Sequence, residues 1–264
     1  MSAPNGPTGA LTPEGLTTCL MGYKLEHPFM FGAGPAKSLE DVRSLAMTQT
    51  TMLIVGSIHE DPPDELNLDR PVFDLEYYGY NIPQMRELAA EEGNKPLGVS
   101  IGGFSPDGYS KAAKLALEAG ASFIEINCAF RIFNGRELVY KHPADPDTVA
   151  RIVSRVKEDL PDDYPVGGKL HPSMPHDIGK TLLGLGVNLN YWAGVGLDQV
   201  RSLSEVIALS SSPTQIVGVE SGPDPYDSLR YLQDDGCNVA AVQMVGSYFR
   251  NPGVIGDLLS RLTG

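Results

Sequence analysis

The chain is predicted to fold as a single-domain (β/α)8 TIM barrel, the α/β architecture of eight parallel strands, each followed by a helix. Three observations predict it. Its 264 residues show no break in composition, and that length suits one barrel of roughly 250 residues. Eight short apolar runs alternate with eight helical patterns, and strict alternation implies parallel strands joined by right-handed crossovers. Four helices open on Pro directly behind a capping residue, at Ser105-Pro106, Asp145-Pro146, Asp224-Pro225 and Asn251-Pro252. A polar cap followed by a first-turn proline starts a helix because neither wastes a backbone donor. The competing doubly wound sheet usually has fewer strands.

Taken in order, residues 1–12 are rich in Pro, Gly and Ala and lack the basic and apolar regions of a signal peptide. Residues 1–20 are therefore expected to be a loose N-terminal segment, and residues 21–264 the barrel domain. Strand one is residues 29–33, and its helix, 39–47, follows Ser38 with Glu40 and Asp41 in the first turn. Strand two, 52–55, leads into residues 58–80, whose prolines and acids suggest a long loop of the kind that carries function. A helix fits 83–92. Strand three, 97–101, precedes a helix from Ser105 to near Gly120, with Ala112, Leu115, Ala116 and Ala119 at helical spacing. Strand four is 123–127, and the helix after Asp145 carries Val149, Ile152, Val153 and Val156 on one face. Strand five, 166–170, is followed by a helix over 173–185, strand six, 187–190, by one over 198–209, and strand seven, 215–219, by one over 226–235. Strand eight, 239–244, precedes the last helix, with Val254, Ile255, Leu258, Leu259 and Leu262.

Composition narrows the function class. A formal net charge of −13 opposes nucleic acid and anionic membranes through the general field. No apolar run approaches the ~20 residues of a membrane helix. Cys19, Cys128 and Cys237 are odd in number and show no C-x-x-C spacing, so free thiols in a reducing cytoplasm are expected. The partner is then a small-molecule substrate.

In a barrel, chemistry sits where the strands end. The ends read Gly32-Ala33-Gly34, Gly56-Ser57, Gly102-Gly103, Asn127-Cys128, Lys169-Leu170-His171, Asn188 and Asn190, Gly218 to Gly222, and Gly246-Ser247. This ring is rich in glycine and amides, with one cation. Glycine lets a planar or phosphorylated ligand approach the backbone, and turns that lead into helix N-termini favour phosphate. Lys169 is the informative residue, because an ammonium is costly to bury without a partner. It faces a polar cavity or a bound anion, or it pairs with a carboxylate such as Glu125 or Glu220.

From Pro28 to Leu262 the chain resembles the dihydroorotate dehydrogenase family of flavin-mononucleotide (FMN) barrels. Residues 28–34 (Pro-Phe-Met-Phe-Gly-Ala-Gly) are similar to that family's first-strand turn, which touches the flavin. Residues 123–127 (Phe-Ile-Glu-Ile-Asn) resemble its fourth strand, and Lys169 sits where it places a lysine near the reactive end of the flavin ring. Gln243 with Gly246-Ser247 resembles its last phosphate-binding turn. The resemblance implies an FMN-dependent oxidoreductase in which Ala33, Gly34, Asn127, Lys169, Ser221, Gly222, Gly246 and Ser247 bind the cofactor. A homodimer is the expectation by analogy.

Departures from the family pattern shape the rest. Cys128 lies two places before the family's catalytic base, and Ala129 to Ile132 replace its Pro-Asn. A second lysine, after strand two, is replaced by the Gly56 region. The substrate-binding insertion after strand six is absent. The seventh-strand Gly-Gly becomes Gly218-Val219-Glu220-Ser221-Gly222. A carboxylate facing a phosphate repels it by about 1 kcal/mol or more in a partly dry site. Glu220 must turn away, bind a cation, or mark the loss of the phosphate. Dihydroorotate is thus not the expected substrate; a small unsaturated or carbonyl compound is.

The catalytic candidates are Lys169, His171 and Cys128. Lys169 would hold the negative charge of reduced flavin or form a Schiff base. His171 would move a proton near neutral pH. Cys128 would act as base or nucleophile, unless strand alternation turns it toward the helices as packing. Arg131, Arg136 and Asn190 are the substrate-binding candidates. Tyr191-Trp192 would stack on a flat ring or pack against a helix or another subunit. No metal spacing is convincing. Two further functions keep the barrel without flavin: a lyase or isomerase using Lys169 and His171, or a non-catalytic subunit or ligand-binding barrel.

Overall fold

A computed structural model describes residues 13–59, 75–129, 131–134, 137–142, 145–174, 178–210, 213–220 and 224–263. It shows a closed barrel of eight parallel strands. The barrel strands are β3 (Phe29–Phe31), β4 (Leu53–Ile58), β5 (Leu97–Ile101), β6 (Phe123–Asn127), β9 (Val166–Lys169), β10 (Tyr191–Val195), β11 (Gln215–Val219) and β12 (Ala241–Met244). They pair in chain order, and β12 returns to β3. Two antiparallel hairpins are added: β1 (Thr18–Leu20) with β2 (Tyr23–Leu25), and β7 (Arg131–Asn134) with β8 (Glu137–Lys141).

Capping explains the helices. In α1 (Leu39–Ala46), Ser38 and Asp41 form a reciprocal capping box. In α3 (Pro106–Glu118) and α4 (Pro146–Glu158), Ser105 and Asp145 cap a first-turn proline, as the sequence pattern predicts. The others are α2 (Leu75–Glu91), α5 (Ile178–Gly184), α6 (Leu197–Ser210), α7 (Arg230–Gln233) and α8 (Val254–Thr263). α2 begins eight residues earlier than the sequence suggests and carries Pro83 internally. Asp224-Pro225 opens a 3-10 turn, Pro225–Leu229, that runs into the single-turn α7 in place of one longer helix. None of the described helices is long and apolar enough to cross a membrane.

Two cores result from strand alternation. Outward side chains such as Phe31, Val55, Val99, Ile124 and Ile126 pack under the helices. Inward ones, including Met30, Ile54, Phe123, Tyr191, Ala193, Val217 and Val219, fill the bore. Small and large residues alternate around it. A Cβ on Gly98 would lie 2.2 Å from the Phe123 ring, and one on Gly167 would lie 2.0 Å from the Tyr191 ring. Each glycine makes room for the ring on the paired position of the next strand.

Two expectations need correction. Strand six is Tyr191–Val195, whereas residues 187–190 form the connection into it. Val187 and Leu189 are buried there by packing, and the segment meets the sheet at Asn190, whose N–H donates to the Val166 carbonyl and whose carbonyl accepts from the Gln215 N–H. Tyr191 and Trp192 are consequently strand residues, one facing the bore and one facing the helices. The expected loose segment ends earlier than residue 20. A 3-10 turn, Pro13–Leu16, and the β1–β2 hairpin are ordered because Leu16, Leu20 and Leu25 are buried. The hairpin closes the barrel floor through Thr18 Oγ1 to the Ala240 carbonyl (2.9 Å) and Gln215 Nε2 to the Cys19 carbonyl (2.6 Å). Residues 1–12 lie outside the described residues, as does most of the expected 58–80 loop.

Candidate active site

β9 carries Lys169 to the C-terminal rim, between Asn127 on β6 and Ala193 on β10. Beyond it a cavity of about 590 Å³ opens, lined by Arg131, Lys169, His171, Glu220, Val219 and Val245 among others. Other hollows of about 820 and 690 Å³ lie between α1 and α2 and near the floor. The rim cavity is the one of these that lies at the strand ends, where it gathers Arg131, Lys169 and Glu220.

Lys169 is half-buried, and among the described residues its ammonium has no hydrogen bond within 3.5 Å or ion pair within 4.0 Å. The two carboxylates that competed for it in the sequence are engaged elsewhere. Glu125, fully buried in the bore, accepts from Tyr191 Oη (2.9 Å) and from Gln243 Nε2 (2.5 Å) through one oxygen. Burial, then the Glu125 charge, holds the Tyr191 phenol well above its ordinary value. Glu220 is bound to backbone, as described below.

Arg131 reaches the cavity from the β7–β8 hairpin, which overhangs the loop after β9. Its guanidinium donates to His171 Nε2. The other ring nitrogen, Nδ1, lies 2.6 Å from Ser173 Oγ. Nδ1 also accepts from the Ser173 N–H at 3.0 Å, so both ring nitrogens are engaged. Burial first, then the charges of Arg131, Lys141 and His142, pull the His171 pKa down to about 4. His171 is therefore neutral at physiological pH, and its basic nitrogen is taken. It positions Arg131, which corrects the expectation of a proton carrier near neutrality.

Asn127 is at the mouth, with its amide committed. Nδ2 donates to Ser57 Oγ (2.7 Å), which is 2.8 Å from Ser100 Oγ, and Oδ1 accepts from the Ala129 N–H (3.0 Å). This polar strap across β4, β5 and β6 was not legible in the sequence; Ser57 at a strand end was its one signal. Cys128 faces outward into the helix-side core, and burial, then Glu125, pushes its thiol up to about 12. Its catalytic reading is withdrawn: a thiol that holds its proton there is neither base nor nucleophile. Asn190 is corrected as well. Its Oδ1 accepts from Val166 N (2.8 Å) at the start of β9, the barrel end opposite the mouth. Arg136, Ser221 and Gly222 lie outside the described residues. Among the described residues no group of three or more His, Cys, Asp or Glu is placed to hold a metal.

The rim also tests whether flavin mononucleotide fits. The N–H groups of Val245 and Ser247, in the turn expected to hold phosphate, both donate to Glu220 Oε2, at 2.8 and 3.0 Å. Arg250 Nη2 lies 3.4 Å from Glu220 Oε1. At the first-strand turn, a Cβ on Gly32 would meet Gln243 Oε1 at 2.9 Å and Val245 Cγ2 at 3.1 Å. The clearance beside Gly32 is filled by protein, and Ala33 is buried against the bore. The ring end of the mouth, with Lys169 beside Asn127, suits a flat anionic group. The phosphate end does not fit a phosphate.

No protein-family model matches the chain, and no curated protein matches it. Among solved structures it is similar to DHODH from Eimeria tenella, solved in complex with ferulenol. The likeness has a TM-score of 0.71 at 14% identity and covers 98% of this chain and 86% of that one. The chain thus has a DHODH-like (β/α)8 fold.

Proposed function

We propose that this barrel is an enzyme acting, without flavin, on a small anionic carbonyl compound held at the mouth by Lys169 and Arg131. The observation that carries this reading is the Lys169 ammonium, unpaired among the described residues and lining a cavity beside a second cation. Two cations above an apolar wall of Val195, Val219 and Val245 match a carboxylate attached to a short carbon chain. Arg131, held by His171, would fix the carboxylate. Lys169 Nζ would bond to the carbonyl carbon while the carbonyl oxygen leaves as water with two of the ammonium's protons, and a protonated imine forms. Its protonated nitrogen withdraws electrons from the adjacent C–C or C–H bond, the step that lyases and isomerases of this type need.

The test is borohydride trapping with pyruvate, read by peptide mass mapping. A reduced adduct concentrated on Lys169 and absent in Lys169→Arg is expected. Labelling spread evenly over surface lysines would refute the reading.

A second reading is an FMN-dependent oxidoreductase resembling DHODH, acting on a small unsaturated or carbonyl substrate other than dihydroorotate. The shared fold and the neighbouring positions of Asn127 and Lys169 favour it. It requires Glu220 to leave the last turn. Purified protein that retains flavin absorption near ~450 nm after desalting, an absorption that belongs to the cofactor itself, would select it.

A further inference from the structure

Glu220 follows β11, and its own N–H donates to the Gln243 carbonyl at 2.9 Å. That bond sets it beside the end of β12, where Val245 and Ser247 turn out of the ladder and their N–H groups lose strand partners. The two N–H groups converge on one carboxylate oxygen. Arg250 stands over the other. The Glu220 side chain is 3% exposed, and the buried Ser247 hydroxyl beside it has no hydrogen-bond partner among the described residues. Convergent backbone donors, a hydroxyl and a guanidinium form an anion receptor. Here the anion is part of the chain.

We propose that Glu220 is the resident anion of this receptor and the residue that excludes phosphorylated ligands from the mouth. It blocks them twice: its oxygen takes both N–H donors, and its charge, buried against that turn, repels a second anion brought to the same donors. Without the carboxylate the same groups take phosphate. This assignment does not rest on the reaction proposed above, and it stands if Lys169 forms no imine.

The experiment uses the full chain, 15N-labelled, titrated with inorganic phosphate at constant ionic strength with chloride as control. In the wild type the Val245 and Ser247 amide signals should stay still and Tm should not respond specifically to phosphate. In Glu220→Gly both signals should move saturably, and Tm should rise with the logarithm of phosphate concentration. Phosphate should bind the variant at least about tenfold more tightly than the wild type, a modest gain for opening a two-donor anion site. Arg250→Ala in the Glu220→Gly background should weaken that binding again. Saturable phosphate shifts at Val245 and Ser247 in the wild type would overturn the proposal, as would a folded Glu220→Gly protein that ignores phosphate. If Glu220→Gly does not fold, Glu220→Ser takes its place under the same criteria, and the wild-type titration remains decisive against the idea.

Discussion

Gly167→Ala tests the packing that places Lys169. The new Cβ would lie 2.0 Å from Tyr191 Cε1 and 2.1 Å from Cζ, well inside any tolerable contact. The ring has no free direction to move in, because it is fully buried and its hydroxyl is bound to Glu125 at 2.9 Å. Two costs follow. Forcing an extra carbon into a filled core costs about 1–3 kcal/mol. Pulling the phenol off a buried carboxylate loses a hydrogen bond of about 1.5–3 kcal/mol. Together they predict about 2.5–6 kcal/mol of destabilisation, or a Tm lower by about 5–24 °C in a chain of this size. Urea unfolding followed by far-UV circular dichroism measures it, with Gly184→Ala as the internal control. A Cβ at Gly184 meets nothing within 4 Å at the end of α5, so that change should be neutral or stabilise by up to about 1 kcal/mol. If Gly167→Ala falls within about 1 kcal/mol of wild type, below the usual cost of overpacking, the filled bore is wrongly described.

Three other outcomes are expected. In the native protein a thiol reagent at mildly alkaline pH should label the exposed Cys19 and spare Cys128, whose thiol is pushed up to about 12; rapid native labelling of Cys128 refutes its packing role. His171 should titrate near 4 by NMR, and Arg131→Ala should raise that value without restoring it to 6.5, since burial is the larger cause. Because the unfolded chain binds this proton more readily, the stabilising contribution is fully present above the unfolded value of about 6.5. It is lost as pH falls toward 4, and an unfolding midpoint unchanged across that window in both proteins would contradict the assignment. Lys95 Nζ donates to the Ala46 and Thr48 carbonyls where α1 ends, at 2.5 and 2.6 Å. Lys95→Met should therefore cost about 1–3 kcal/mol, and a loss under half the lower figure in chemical unfolding would remove the cap from the account.

The barrel was legible because its evidence is repeated: polar-Pro pairs and apolar runs at regular intervals depend on no single residue, although Pro opens an α-helix only in α3 and α4 and α8 begins at Val254, past Asn251-Pro252. Strand six was misplaced because Val187-Asn188-Leu189-Asn190 alternates apolar and polar residues like a half-buried strand. The floor hairpin escaped notice because its three-residue strands are too short to show alternation. At the site, Lys169 was found through the cost of burying an ammonium. Cys128 and Asn190 misled because strand phase and strand end decide their roles, and a one-residue shift in phase inverts a side chain. Glu220 was marked as a conflict with phosphate, but its partners, Val245, Ser247 and Arg250, lie 25 to 30 positions away. Only folding brings those donors to it.

The glycine–aromatic pairs have a mechanical consequence. Phe123 sits over Gly98, Tyr191 over Gly167 and Trp192 over Gly168, each ring on one strand and each gap on its paired neighbour. They act as teeth in notches. If β6 slid along β5, or β10 along β9, a ring would ride up onto a neighbouring side chain and leave its notch empty. In a closed barrel the summed offsets between neighbouring strands set strand tilt and bore width. These pairs, two of them inside and one on the outer face, therefore gauge the diameter of the whole cylinder, including the mouth that spaces Lys169 from Glu220.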